Sequence, residues 1–456
     1  MDNRTQDILS GAVLPLLLRM ASPNALAFFI QACVSMTEIW YIAQLGTISL
    51  AAIALMFPGL MLMQMLAAGS IGGAVSSAVA RAIGSHDMAR AERLIWHAII
   101  LALAGGAFFF TAYWLFGIEL LTWLGARGPV LTEATAYGNV LFTGCVLIWL
   151  AQILSSVFRG MGNMRFPSML MAFGAMIHVL TAGALILGWF GFSKMGISGA
   201  AIASIFTSGV NTVILLIMLS AGKVSVPLRL ARFQIQWLLI KDILRVGALA
   251  SLSPVFSVLT ISLINGLISA LGPSAVAGYG IVARLEFLLI PMVFGLGAAM
   301  TALVGMNTGA GNLIRAERIG WVGGGCAAFL TGIVGLCLAF YPGMWINIFT
   351  ADPAVYETGA AYLRIVGPVF LFQGLGLSLY FAAQGAGRVF WPVTATFVRF
   401  GIAGIIAVIG VKWLGFGLNH IYACIAAGMA AYGLITAGSL WLGAWRPRKV
   451  SAGRAG

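Results

Sequence analysis

Twelve stretches of this 456-residue chain are apolar for long enough to cross the roughly 30 Å of hydrocarbon in a bilayer. Their approximate bounds are 21–42, 48–80, 95–117, 134–158, 167–189, 197–220, 247–270, 275–307, 320–341, 358–384, 391–413 and 418–444. In hydrocarbon every backbone polar group must find its partner inside the protein, and an apolar run of this length does so as a helix. An all-α polytopic membrane protein of twelve transmembrane helices is therefore predicted. Composition agrees, with 61% apolar and only 8% charged residues, where a soluble domain carries about 25% charged. A cytosolic enzyme and a secreted domain are both excluded. The N-terminal MDNRTQDILSG lacks the features of a cleaved signal peptide, so the first span is expected to insert the chain directly. Residues 7–20, which contain Pro15 and Arg19, make a poor span and are expected to form a short interfacial helix feeding span 1.

The bases set the orientation. There are 25 Lys and Arg against 12 Asp and Glu, an excess that in a soluble chain would point to nucleic acid. Here they occupy short loops between apolar runs, where topology explains them and no nucleic-acid partner is implied. With the N-terminus inside, 19 bases fall in cytoplasmic segments and four (Arg127, Lys194, Arg364, Lys412) outside, while Arg284 and Arg399 lie within spans. Both termini are thus predicted to be cytoplasmic. The five cysteines (Cys33, Cys145, Cys326, Cys337, Cys424) sit in apolar runs with no CxxC pair, and read as small buried hydrophobes rather than a disulfide or metal framework.

The chain is also duplicated. Gly84-x5-Arg90-Ala91-Glu92-Arg93 recurs as Gly309-x5-Arg315-Ala316-Glu317-Arg318, Gly160-x-Gly162-x4-Pro167 as Gly385-x-Gly387-x4-Pro392, and Ala136-Tyr137 as Ala361-Tyr362, all at one offset of 225 residues. This divides the chain into a six-helix lobe with the interfacial helix (1–222), a basic cytoplasmic linker (223–245) and a second six-helix lobe with a basic tail (246–456). Six is an even number of spans, so the lobes are parallel repeats facing one another across a central cavity, an arrangement suited to alternating access. The 58 glycines serve mainly to let helices pack closely in lipid.

Of the twelve acids only Glu38 (span 1) and Glu286 (span 8) lie inside spans. An ionisable group at that depth costs about 2.5–3.5 kcal/mol even on the lenient insertion scale, so each needs a cavity or a partner. Glu38 is the stronger functional candidate. Glu286 lies two residues after Arg284, and such positions point about 200° apart on a helix, so Arg399 of span 11 is its expected partner in a structural pair. His178, in span 5, can carry protons or pack with one hydrogen bond. Gln31, Gln64, Asn265 and Gln373 are assigned to hydrogen bonds between helices. A phosphate-binding loop, a metal-ligand cluster and a row of intramembrane bases are all absent from the sequence, which leaves transport driven by an ion gradient. Neither enzymatic activity nor a cofactor beyond the coupling ion is implied.

With these pieces in place the chain resembles the multidrug and toxic compound extrusion (MATE) family in its bacterial branch, over essentially its whole length. The resemblance runs in order through DILSGAVLPLLLRMASP, TEIWYIAQLG, AIGSHDMARAER, FRGMGNMRFP, GISGAAIAS, ALGPSAVAGYGIVARLE, VGMNTGAGNLIRAER, FTADPAVYETGAAYLRI and QGAGRVFWP. It implies twelve spans in two lobes in a bacterial inner membrane, exporting mostly cationic amphipathic compounds in exchange for protons or sodium ions. Its partners would be those compounds and membrane lipids, and a monomer is expected. The family's first-lobe cation site maps onto Glu38, His178, Ala182 and Ser204, with Pro23 as the span-1 proline that would act as a hinge. Here His178 replaces an Asn and Ala182 an Asp. The site loses two oxygen-bearing side chains and gains an imidazole, which favours a proton over sodium. The alternatives are sodium-coupled antiport and a lipid-linked glycan flippase of the wider superfamily. The flippase would want more intramembrane cationic groups for phosphates than Arg284 and Arg399 alone.

Overall fold

The computed structural model describes residues 3–222, 224–229 and 234–446. Of the bases assigned to the cytoplasm, Lys223, Arg232, Arg448, Lys449 and Arg454 lie outside the described residues, as does all of the basic tail beyond Arg446. Among the described residues the regular structure is helical throughout, with no strand. After a short N-terminal helix, Asn3–Ser10, spans 1 to 3 are Val13–Ala43, Thr47–Gly84 and Met88–Trp123. Span 4 is a pair, Gly128–Thr143 and Cys145–Gly160, bent by 51°. Spans 5 to 8 are Arg165–Leu187, Ile197–Ser220, Trp237–Ser269 and Pro273–Gly309, and spans 9 to 12 are Leu313–Phe340, Pro353–Gly385, Phe390–Trp413 and Leu418–Trp441.

Several helix bounds extend past the sequence-based expectation, most at the lead-ins to spans 1 and 7. The lead-in to span 1 breaks at Gly11 and Ala12, and Val13 already opens the spanning helix. Pro15 is only the third residue of that helix, in the first turn, where no backbone N–H is needed, so it does not interrupt. Pro23 is likewise accommodated inside a continuous helix. The second half of the expected linker is helical too: span 7 starts at Trp237, which brings Lys241, Asp242 and Arg245 into its first turns. The cysteines divide as well. Cys145 and Cys424 are buried, whereas Cys33 and Cys337 are exposed, because an outward helix face in lipid meets hydrocarbon and need not be covered.

The duplication is visible in the caps. Asp87 and Asn312, at the repeat offset, each cap the next span by accepting from the backbone N–H three residues on, of Arg90 at 2.8 Å and Arg315 at 3.2 Å. The repeated Glu92 and Glu317 are both buried, and each meets an arginine that follows its own lobe's sixth span. Glu317 accepts a two-pronged bond from Arg446 at 2.8 and 2.7 Å, and Glu92 lies 4.0 Å from Arg229.

The lobes meet tightly at the end that carries Asn3 and Arg446. Spans 2 and 8 cross there backbone on backbone. A Cβ on Gly84 would lie 2.0 Å from the carbonyl oxygen of Met306, and one on Gly309 would lie 2.1 Å from that of Arg81, the same contact made twice by pseudo-symmetry. Each lobe also grips the segment leading into the other. Asn307 and Arg315 donate to the Ile8 carbonyl, both at 3.3 Å, and Arg315 reaches that of Gly11 at 2.5 Å. In the reciprocal arrangement Asp242 accepts from Arg81 at 3.2 Å and Arg90 at 2.7 Å, while the Gln236 N–H donates to His97 Nε2 at 2.9 Å. Ser77 completes the seal by donating to the carbonyls of Gln384 and Gly385.

Candidate functional site

Toward the opposite end the lobes part around a cleft. Its first-lobe half encloses about 320 Å³ and its second-lobe half about 120 Å³. Met65, Ile290 and Phe294 line both, so the two halves are continuous. Met65 opens a π-helical segment of span 2, Met65–Ile71, a local widening of the kind that recurs at functional positions.

In the first-lobe half, span 1 presents Glu38 and span 5 presents His178, and the two meet: His178 Nε2 lies 3.0 Å from Glu38 Oε2. Their side chains are 18% and 10% exposed, so the pair is nearly enclosed yet still borders the cavity. A carboxyl and an imidazole at this distance are within hydrogen-bonding reach, each through one side-chain atom. Ser204 of span 6 lines the same cavity, and Ala182 is fully buried one turn beyond His178. The cavity also holds groups that the sequence did not single out, namely Gln152, Ser155, Thr207, Ser208 and Asn211. Thr207 Oγ1 and Asn211 Oδ1 are buried and have no hydrogen-bond partner among the described residues. Gln31 and Gln64 line this cavity as well, where helix-to-helix bonds had been expected.

In the second-lobe half the structure brings Glu286 and Arg399 into one pocket but does not join them. The Tyr362 hydroxyl donates to Glu286 Oε1, and Arg399 donates to Gln373 Oε1 at 2.9 Å. The expected Glu286–Arg399 ion pair is therefore not among the contacts of the described residues; the amide and the hydroxyl take the two places. Arg284 points elsewhere, exposed, with its guanidinium carbon 5.3 Å from the centre of the Phe349 ring. Tyr362 belongs to a repeated pair. Its counterpart Tyr137 is buried as well, so the repeat keeps a tyrosine in the interior of each lobe.

One base at a helix end is buried rather than facing water. Arg159, counted with the cytoplasmic loops, is only 5% exposed, with its guanidinium carbon 5.9 Å from the centre of the Phe28 ring. Phe28 in turn packs edge-on against Phe294, and Phe294 against Phe381. These rings floor the cleft above the sealed end.

The MatE family model matches the chain twice, over residues 23–182 and 250–409. A Thermotoga maritima protein described as a "Probable multidrug resistance protein NorM" is 28% identical over 358 residues, covering 77% of this chain and 76% of its own length. A Shewanella oneidensis protein described as a FAD transporter is 28% identical over 382 residues, 82% of each. Among solved structures, a MOP superfamily transporter from Pyrococcus furiosus, described as having a binding pocket of reverse polarity, superposes with a TM-score of 0.88 at 23% identity, covering 97% of this chain and 98% of that one. An outward-facing multidrug resistance transporter of the same superfamily superposes with a TM-score of 0.86 at 24% identity, covering 97% of each.

Proposed function

The chain belongs to the MatE family, and from that premise we propose that it is a secondary active exporter in a bacterial inner membrane that moves amphipathic compounds, chiefly cations, in exchange for protons. The observation that carries the coupling is the 3.0 Å contact between Glu38 and His178 on the cavity wall. With both termini in the cytoplasm, the sealed end faces inward and the cleft opens outward. A proton arriving from outside settles on the Glu38–His178 pair and removes the negative charge that held a cationic cargo, so the cargo leaves. Flexing of span 1 at Pro23, fifteen residues earlier, carries the change to the lobe interface. On the inward side the proton departs and Glu38 again attracts a cation. The cargo crosses without covalent change, and one chain contains the whole path.

Sodium coupling is the second reading. It is favoured by the oxygens of Thr207 and Asn211, which have no hydrogen-bond partner among the described residues and share a cavity with Glu38 and Ser204, since sodium takes several hard oxygen ligands. Cargo class extends beyond cations in related chains: the relative that moves FAD is as similar to this one as the relative described for multidrug resistance. The test is efflux of a fluorescent cation from vesicles under an imposed pH gradient. Glu38→Gln is expected to abolish the pH-driven component, and a variant that still exports at the wild-type rate would refute the mechanism.

A further inference from the structure

The second-lobe half of the cleft holds a cation that no acid neutralises by contact. Arg399 belongs to none of the ion pairs formed among the described residues. Its one hydrogen bond to a side chain goes to the neutral amide of Gln373, and its guanidinium carbon lies 5.9 Å from the centre of the Tyr432 ring. Glu286, the one carboxyl in this pocket, is engaged by the Tyr362 hydroxyl. A guanidinium held at membrane depth by an amide and a ring face is costly, and such a group marks a pathway or a ligand. It has five N–H donors in a planar fork, of which Gln373 takes one, so a two-pronged face remains for an oxyanion.

The rest of the pocket fits what would accompany that oxyanion. Tyr279, Tyr380, Phe381 and Tyr432 present rings, and Met429 a polarisable thioether, around a space that joins the larger cavity at Met65, Ile290 and Phe294. Rings of this kind take a flat aromatic system by stacking or edge contact.

We propose that the second-lobe pocket is a subsite for aromatic amphiphiles that carry an oxyanion, phosphate or carboxylate, with Arg399 binding the oxyanion and the tyrosine-rich wall binding the ring. The two halves of the cleft then have opposite preferences, a carboxyl–imidazole pair for cations in the first lobe and a guanidinium for anions in the second. Gln373 is a positioning residue that aims the guanidinium. Glu286 is a like-charged neighbour that limits how much negative charge the pocket takes.

The test uses two ligands with one ring system, riboflavin and riboflavin 5′-phosphate, titrated against the purified full-length protein in detergent with flavin fluorescence as the readout. The wild type is expected to bind the phosphate ester about tenfold more tightly than riboflavin, the scale of one charge-assisted two-pronged contact. Arg399→Gln should bring the two ligands to parity. Gln373→Glu, which keeps Arg399 and sets a carboxylate against it, should do the same and covers the case in which the arginine variant fails to fold. Glu286→Gln should widen the preference for the ester. Equal binding of both flavins by the wild type, or a preference unchanged in Gln373→Glu, would overturn the proposal. Binding is measured without any gradient, so failure of proton-driven export leaves this result intact, and the converse also holds.

Discussion

Glu38 and His178 come from spans 1 and 5, 140 residues apart, and are useful to each other only because the helices turn both side chains onto one wall. Removing the imidazole should weaken the site's hold on its proton, because the proton-bound form loses one of its two acceptors. His178→Asn is therefore expected to shift half-maximal efflux to a more acidic exterior, measured as transport rate against external pH at fixed internal pH. Glu38 was legible in the sequence because only two acids lie in apolar runs, where the cost of burial leaves few structural excuses. Tyr362 was not, and Gln373 was legible only as a helix-to-helix hydrogen bond without its partner. Within an apolar run a tyrosine looks like packing and a glutamine like an unaddressed interhelical bond, and whether either meets Glu286 or Arg399 depends on the rotation of spans 10, 8 and 11 about their own axes. Arg159 shows the same limit at a helix end, where a base facing water and a base buried under Phe28 give the same sequence pattern.

At the scale of elements, the decisive feature is the crossing of spans 2 and 8 at Gly84 and Gly309. Any side chain there overlaps a carbonyl oxygen of the other lobe, so Gly84→Val should disfavour the sealed state by about 1–3 kcal/mol, the usual cost of overpacking. Spin labels on the sealed ends of spans 2 and 8 are expected to show a longer mean distance in this variant, and an unchanged distance distribution would contradict the crossing. Asp242, held by Arg81 and Arg90, gives an independent handle. Asp242→Asn keeps the shape, removes the charge, and should shift the same distances in the same direction by less. The repeat motifs were legible as a duplication, but not as a clamp. The offset of 225 residues says that two segments are alike, while mutual contact between them depends on how the lobes dock.

At the scale of the whole molecule, twelve apolar runs determined the helix count, and the number of spans per repeat determined that the lobes run parallel. Helix ends moved, most at the lead-ins to spans 1 and 7, where amphipathic turns extend beyond the hydrocarbon-length core that an apolar run reveals. The cleft was foreseeable as a place between lobes but not in its content, since its first-lobe polar lining is scattered over spans 1, 2, 4, 5 and 6. Its arrangement, a carboxyl against an imidazole in one lobe and a guanidinium against an amide in the other, is a property of the assembled pair. The central claim is that the Glu38–His178 pair couples export to protons. The most direct measurement places purified protein in liposomes and follows a fluorescent cation while a proton gradient and a sodium gradient are imposed one at a time. The proton gradient alone should drive transport, and Glu38→Gln should abolish it. Transport driven by the sodium gradient alone, with none from the proton gradient, would contradict the account.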